Sequence, residues 1–272
     1  MISDNELAAL LHTATEAATE AGRLVHGRIS SLEEIRHKPD GIHNLVTEMD
    51  IASEELIKKI VSERHEGSIF LAEESGGSAD LAPLTWVVDP IDGTVNYAHG
   101  IPIYCVSIAA VVENEPVVGV IFDPSTKELF TAIKGGGAFV NGVRMHVSAT
   151  SELARAILVT GFPYNVAENP YGCVDSFIDF MSMGIPIRRL GSAALDLAYT
   201  AAGRFDAFWE VTLNAWDVAA GALMITEAGG TMGTYSGNAM TSSLVTDRML
   251  ASNGLIDGAM MEVLARRSGG EG

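Results

Sequence analysis

The sequence is short of positive charge. Its 272 residues include 17 Lys and Arg against 35 Asp and Glu, which leaves a formal net charge of −18 at pH 7. A surface this acidic repels nucleic-acid phosphates and anionic lipid headgroups, so binding to either by bulk charge is excluded. A phosphorylated small molecule stays compatible with the composition, provided that positive charge is recruited locally at its binding site.

Cysteine and long hydrophobic runs are also scarce. Cys105 and Cys173 are the two cysteines, and we expect both to be buried and reduced rather than part of a disulfide or a zinc site. The most apolar run, 104–112, has about half of the ~20 residues that cross a bilayer. The acidic N-terminal stretch lacks the features of an export signal. Together these absences predict a soluble, cytoplasmic protein without a membrane partner.

The chain has enough apolar residues for a large core. Hydrophobic residues make up 47% of it and charged residues 19%, which is typical of one large globular domain or two closely joined halves. Ser3 and Glu6 form a capping-box pattern ahead of apolar residues at helical spacing, so the sequence predicts a long helix over 4–27. A second helix is predicted from about 51 to 64, after a turn around 39–41.

The later elements follow from the same kind of periodicity. Strands are predicted at 68–72, 86–89, 104–112, 117–123, 128–134, 156–160, 205–210, 230–235 and 248–252. Helices are predicted at 170–183, 192–203, 215–228 and 255–267, and Asn141-Gly142 predicts a tight hairpin. Antiparallel strands first and alternating helices and strands later predict an α/β (α+β) fold in a layered sandwich. We expect a single catalytic unit over 1–272, with an α+β half at 1–147 and an α/β half at 148–272.

Acidic residues stand where the predicted elements end. A buried strand runs into the sequence DPIDGT at 89–94, in which Pro90 is expected to end the strand and Gly93 to turn the backbone towards a helix. Asp89 and Asp92 would then face one pocket, and their repulsion would protonate one of them unless a cation lies between them. The alternative is an Asp-Pro turn whose carboxylates are simply solvated.

Three further acidic positions accompany this motif. Each has a structural alternative: Glu73 in a solvated loop, Asp50 as the cap of the next helix, and Asp217 in a first helical turn that the macrodipole favours. Their joint occurrence instead favours a site for hard cations, at which two or three Mg²⁺ ions could polarise a phosphoryl oxygen, generate hydroxide and stabilise the leaving alkoxide. The ligands would be Glu73, Asp89, Asp92, Asp217 and the carbonyl of Ile91.

These motifs resemble those of the inositol monophosphatase family. The resemblance is carried by EES at 73–75, DPIDGT at 89–94, WD at 216–217 with AAG at 219–221, and GSAALDLA at 191–198 after two arginines. It covers nearly the whole chain. It implies the layered αβαβα sandwich of the inositol monophosphatase and fructose-1,6-bisphosphatase type, an Mg²⁺ cofactor, inhibition by lithium, and a homodimer.

The resemblance also implies which residues hold metal. A first Mg²⁺ would be bound by Glu73, Asp89 and the Ile91 carbonyl, and a second by Asp89, Asp92 and Asp217. A third would lie near Glu73 through water.

Contacts to the reacting groups are implied in the same way. Thr94, with Asp50 or Glu73 as acceptor, would orient the attacking water. The backbone amides of Gly93 and Thr94 would bind phosphate oxygens at a helix start. The remaining substrate contacts would come from Asp92, Gly191, Ser192, Ala193, Glu210 and Asp217.

Two positions depart from the family pattern. Lys38 matches a loop lysine near the metal site, but the loop at 39–42 is one residue longer than in some relatives. Asn214-Ala215 replaces a common pair of a basic residue and proline, which changes the mouth of the pocket without removing a ligand.

The substrate is predicted by chemical class. Because no basic pocket for a second phosphate is evident, we expect a monoester, myo-inositol 1-phosphate or a similar sugar or polyol phosphate. Fructose 1,6-bisphosphate, histidinol phosphate and NADP are alternatives within the same chemistry.

Two rival functions follow from other features. A haloacid-dehalogenase-type phosphatase would need the pattern D-x-D, whereas two residues separate Asp89 from Asp92. A regulatory protein associated with RNA polymerase would act through surface arginines such as Arg188 and Arg189. Direct binding of nucleic acid is not expected from the charge.

Overall fold

The computed structural model describes residues 2–29, 35–38, 44–77, 84–237 and 246–266. The turn expected around 39–41 and the loop at 39–42 lie outside these ranges. The α-helices within them are α1 (Asp4–His26), α2 (Glu48–Arg64), α3 (Thr94–Ala98), α4 (Cys173–Ser182), α5 (Ala193–Ala201), α6 (Ala215–Glu227) and α7 (Asp257–Ala265).

The described strands form three sheets. Their bounds are β1 (Ile35–His37), β2 (Leu45–Thr47), β3 (Ile69–Ala72), β4 (Leu84–Asp92), β5 (Cys105–Val112), β6 (Glu115–Asp123), β7 (Glu128–Ile133), β8 (Gly137–Val140), β9 (Val143–Arg144), β10 (Leu158–Thr160), β11 (Ile187–Arg188), β12 (Ala207–Leu213), β13 (Thr231–Thr234) and β14 (Thr246–Ser252). The large sheet has seven strands in sequential order from β3 to β9, and the small sheet has the order β11-β10-β12-β14-β13. β1 and β2 form an antiparallel pair that the sequence did not predict.

The large sheet is covered on both faces, which explains why its central strands are almost continuously apolar. On one face, Trp86, Val88 and Ile108 pack against α1 and α2. The buried side of α1 is rich in alanine. Small side chains at helical spacing let that helix lie close to the strands.

The layer between the two sheets consists of α5 and α6. α6 contacts β4 to β7 on one side and β13 and β14 on the other, and nine of its 13 residues are buried. A helix that is apolar all round suits such a position. α4 and α7 cover the far face of the small sheet, where Phe180 and Met260 lie in one cluster with Trp209. The order of layers is α, β, α, β, α, so the predicted fold class is confirmed.

Two predicted boundaries near the acidic motifs are wrong. α2 begins at Glu48, not near 51, and Thr47 is its N-cap; Asp50 is not the cap but the third helical residue, which completes a capping box. β4 does not end at Asp89 but continues through Pro90 to Asp92, with a shift of register against β5. Pro90 is tolerated because β3 pairs with β4 only as far as Val88, so no second neighbour needs its missing amide hydrogen.

Several local expectations are confirmed. Asn141-Gly142 joins the paired strands β8 and β9, and Cys105 and Cys173 are buried and free. Within the described ranges, no helix combines the length and the apolar character that crossing a membrane requires.

Candidate active site

Three carboxylates meet where two elements of the core end. Asp89 and Asp92 lie at the end of β4, and Asp217 lies in the first turn of α6. One oxygen of each lies within 4.8 Å of one oxygen of each of the others. The backbone amide of Asn214 donates to Asp217 Oδ2 at 2.7 Å, which fixes the start of α6. The register shift between Asp89 and Asp92 lets both side chains reach the same space.

The carboxyl groups of this cluster are buried and close together, which disfavours their charged forms. Burial and then the charges of Glu73, Asp92 and Asp217 raise the pKa of Asp89 well above its usual range. Burial and then the charges of Asp92 and Glu73 raise the pKa of Asp217 well above its usual range. Among the described residues, no lysine or arginine pairs with Asp89, Asp92 or Asp217. A group of carboxylate oxygens with this charge fits a hard divalent cation such as Mg²⁺.

Asp92 is held in place by the start of α5. The Ser192 hydroxyl and the Ala194 amide donate to Asp92 Oδ2 at 2.6 and 2.7 Å. Burial raises the pKa of Asp92, while these donors lower it. Its other oxygen is therefore free of these contacts and can face the carboxylates of Asp89 and Asp217.

Thr94 links the motif at the end of β4 to α2. Its hydroxyl lies 3.0 Å from Asp50 Oδ1 and 2.9 Å from the Ile91 carbonyl oxygen. Asp50 accepts two further bonds from the amide and hydroxyl of Thr47. Burial raises the pKa of Asp50 to about 7, against the lowering effect of the Thr47 donors. Thr94 and Asp50 thus form a buried, hydrogen-bonded pair beside the end of β4.

Position 93 has no room for a side chain and needs the backbone conformation that glycine allows. Its φ is +94°, and a Cβ there would lie 2.9 Å from the Ile103 carbonyl oxygen and 3.2 Å from that of Gly191. Asn96 fixes the same contact, because its side-chain amide donates to the carbonyls of Ile103 and Leu190 at 2.8 and 2.9 Å. The start of α3 is therefore fastened to the segment that precedes α5.

Glu73 forms an ion pair with Lys38, which also lines this site. Lys38 Nζ lies 2.7 Å from an oxygen of Glu73 and 2.7 Å from an oxygen of Glu74. Burial lowers the pKa of Lys38, but the two carboxylates raise it by more than burial lowers it. The pKa of Lys38 is therefore above its usual value, and the lysine is positively charged. Lys38 thus supplies one local cation beside the acidic cluster.

The three clustered carboxylates, Thr94, Glu73 and Lys38 all line one cavity of about 960 Å³. The residues expected to form the site line it, except Asp50, which is buried behind Thr94. They are Glu73, Asp89, Ile91, Asp92, Gly93, Thr94, Gly191, Ser192, Ala193, Glu210 and Asp217. Burial and the charges of Asp217 and Asp92 raise the pKa of Glu210, on β12, well above its usual range.

Sequence reasoning missed several residues of this wall. Asn96, Tyr164, Arg189 and Asp196 also line the cavity. Asp196 had a usable signal, since it is a carboxylate in the otherwise apolar run 191–198. The role of Asn96 rests on contacts with residues far away in the chain, and no local pattern indicates it.

The comparisons with known proteins agree with this geometry. The pattern of the inositol monophosphatase family matches residues 6–269. The chain belongs to this family. The family is one of phosphatases that depend on Mg²⁺ in general, and the cluster of Asp89, Asp92 and Asp217 could hold such an ion. Membership excludes the haloacid-dehalogenase-type alternative.

Relatives within the family carry two kinds of name. The inositol-1-monophosphatase of Synechocystis is 38% identical over 267 residues, which are 97% of this chain and 92% of that protein. The Nus factor SuhB of Pseudomonas aeruginosa is 41% identical over 234 residues, 84% of this chain and 86% of that protein. The solved inositol monophosphatase from Anabaena (Nostoc) is 38% identical, with a TM-score of 0.85 over 96% of this chain and 97% of that one.

Proposed function

We propose that this chain hydrolyses the phosphate monoester of a polyol or sugar, with myo-inositol 1-phosphate as the substrate, in a reaction that requires Mg²⁺. The observation that carries the proposal is the convergence of Asp89, Asp92 and Asp217 within 4.8 Å at a large cavity. Relatives named inositol-1-monophosphatase support the choice of substrate.

The acidic cluster would hold the metal ions. Glu73, Asp89 and the Ile91 carbonyl would bind one Mg²⁺, and Asp89, Asp92 and Asp217 a second, with a third near Glu73. Bound there, Mg²⁺ would polarise a phosphoryl oxygen, lower the pKa of water and stabilise the leaving oxygen.

Thr94 and Asp50 would handle the proton of the attacking water. The Thr94 hydroxyl can accept a hydrogen bond from water while it donates its own hydrogen to Asp50 Oδ1, 3.0 Å away. This pair would therefore orient the water and take up its proton. Glu73 is engaged by Lys38, which favours Asp50 over Glu73 as the acceptor. The amides of Gly93 and Thr94 would bind the phosphate oxygens.

The alcohol would occupy the rest of the cavity. Gly191, Ser192 and Ala193 would line its path, and Glu210 would accept hydrogen bonds from its hydroxyls, with Asp92 and Asp217 at the phosphate end. In this arrangement the chain acts as a single catalytic unit. The half at 1–147 supplies most metal ligands, and the half at 148–272 supplies Asp217 and the contacts to the alcohol. We further propose that the protein is a homodimer.

Release of phosphate from a panel of esters tests the proposal. With Mg²⁺ present, we expect myo-inositol 1-phosphate to give a higher kcat/KM than fructose 1,6-bisphosphate, histidinol phosphate or NADP. Chelation of the metal should abolish the release. A tenfold advantage for any of the other three would replace the substrate, and release that survives chelation would refute the metal-dependent chemistry.

A second candidate function comes from the relatives named Nus factor SuhB. Such a role in transcription would need a protein surface and not the acidic cavity. Affinity capture of RNA polymerase by the full chain, repeated with Asp92→Asn, separates the two functions. Capture that survives the substitution supports a separate regulatory role, and the absence of capture by either protein refutes it.

A further inference from the structure

Asp196 is a buried carboxylate that the proposed chemistry does not use. It lies on α5, it is 1% exposed, and it lines the active-site cavity. Neither oxygen of its carboxyl group receives a hydrogen bond from the described residues; Oδ1 is sealed from solvent, so Oδ2 is the oxygen that can meet a ligand in the cavity. A buried acceptor without a donor is unfavourable, so its presence calls for an explanation.

Other buried aspartates of the molecule do not share this feature. Asp50, Asp123 and Asp206 are 0%, 1% and 4% exposed. Each accepts bonds from two or more nearby amides or hydroxyls. These three hold loops or helix ends together. Asp196 has no such contact to make, so a purely structural role does not account for it.

Glu210 is a second carboxyl group in the same wall of the cavity as Asp196. β12 carries Glu210, α5 packs on that strand, and both side chains line the same cavity. Glu210 is 8% exposed and, like Asp196, receives no hydrogen bond from the described residues. Burial raises the pKa of Asp196, and the charge of Glu210 raises it further. The charge of Arg189 acts in the opposite direction. The wall therefore offers two acceptors that lack donors.

We propose that Asp196 and Glu210 together accept hydrogen bonds from two hydroxyls of the leaving alcohol, so that Asp196 determines specificity for polyol phosphates over esters of simple alcohols. This rests on the proposed function. A polyol brings several donors on one rigid frame and can satisfy both carboxyls at once. An aryl or alkyl alcohol leaves both carboxyl groups without partners, so its phosphate ester binds more weakly.

The first test compares two substrates. For the full chain with Mg²⁺, the ratio of KM for myo-inositol 1-phosphate to KM for p-nitrophenyl phosphate is measured in the parent and in Asp196→Ala, which removes both carboxyl oxygens. We expect the ratio to rise about tenfold, the effect of losing one hydrogen bond. Asp196→Asn is measured in parallel, because it keeps one acceptor oxygen and should therefore change the ratio less. Ser176→Ala, a buried change on α4 that does not line the cavity, should leave the ratio unchanged.

The second test identifies the hydroxyl. Deoxy analogues of myo-inositol 1-phosphate are assayed with the parent and with Asp196→Ala. We expect one analogue whose loss of about tenfold in kcat/KM in the parent disappears in the variant, since the missing hydroxyl no longer has its partner. A change in packing alone would lower the values for all analogues together.

The outcomes separate this inference from the function on which it rests. A parent enzyme that does not prefer myo-inositol 1-phosphate to p-nitrophenyl phosphate overturns both. If the parent shows that preference but the KM ratio of Asp196→Ala stays within about twofold of the parent's ratio, only the role of Asp196 is refuted. The same conclusion follows if no deoxy analogue is coupled to the substitution.

Discussion

At the scale of single residues, the proposed proton transfer depends on the hydroxyl of Thr94. It lies 3.0 Å from Asp50 and 2.9 Å from the Ile91 carbonyl oxygen. Thr94→Val keeps the shape of the side chain and removes only the hydroxyl. We expect kcat to fall by about 10²–10⁴-fold, the usual contribution of a positioned acid or base, with little change in KM. Steady-state kinetics with myo-inositol 1-phosphate measures both.

Thr94→Ser is the matched control for this prediction. Serine keeps the oxygen and loses a methyl group, so it should retain most of the turnover. Asp50 keeps its two bonds from Thr47 in both variants, and their melting temperatures should therefore be similar. Equal kcat in Thr94→Val and the parent would contradict the proton-transfer role.

Apart from what the family resemblance implies, the sequence predicts residues of the site only where their signal is local. Asp89 and Asp92 stand at the end of an apolar strand, and Asp217 stands at a helix start, so position in an element reveals them. Asn96 donates to the Leu190 carbonyl, 94 positions away. The missing donor of Asp196 depends on everything packed around α5. Neither relation can be read from neighbouring residues.

At the scale of elements, the crossing of α5 and α6 positions both sides of the site. α6 carries Asp217, and α5 begins with the residues that hold Asp92. At the crossing, a Cβ on Gly221 of α6 would lie 2.5 Å from Leu197 Cβ. We expect Gly221→Ala to push the helices apart and destabilise the fold by about 1–3 kcal/mol, partly offset by about 0.5–1 kcal/mol of better helix propensity. The melting temperature, measured by thermal unfolding, and kcat should both fall.

Gly258→Ala provides the comparison for that prediction. Gly258 also lies in a helix, but a Cβ there has no neighbour within 4 Å. The same substitution should therefore raise the melting temperature slightly and leave kcat unaltered. Destabilisation of equal size in both variants would show that the close crossing of α5 and α6 is not the cause.

Elements with clear periodicity could be predicted, but their ends near the site could not. The long helix over 4–27 and the strand over 117–123 follow from spacing of apolar residues alone. The start of α2 at Glu48 depends on the bond between Thr47 and Asp50. The passage of β4 through Pro90 depends on β3 ending early. The first is a local capping box between residues three apart, a pattern that the sequence prediction overlooked. In the second, a tertiary arrangement overrides the local rule.

At the scale of the whole molecule, the net charge of −18 makes divalent cations a source of stability. Mg²⁺ that binds the folded chain at 100 times its dissociation constant would add about 2.7 kcal/mol, or roughly 5–10 °C in melting temperature. We expect such a rise in a thermal melt when Mg²⁺ is added and its loss after chelation. NaCl at equal ionic strength should give a smaller rise, since it only screens the surface charge.

Asp217→Asn separates binding at the site from screening over the surface. The substitution keeps the size of the side chain and an oxygen that can still accept from the Asn214 amide. It also removes one of three charges within 4.8 Å, so without Mg²⁺ the variant should melt at or above the temperature of the parent. With Mg²⁺ its rise should shrink to that given by NaCl, because the cluster has lost a ligand. A full Mg²⁺ response in Asp217→Asn would mean that the stabilising ions bind elsewhere, and the assignment of this carboxylate as a metal ligand would be wrong.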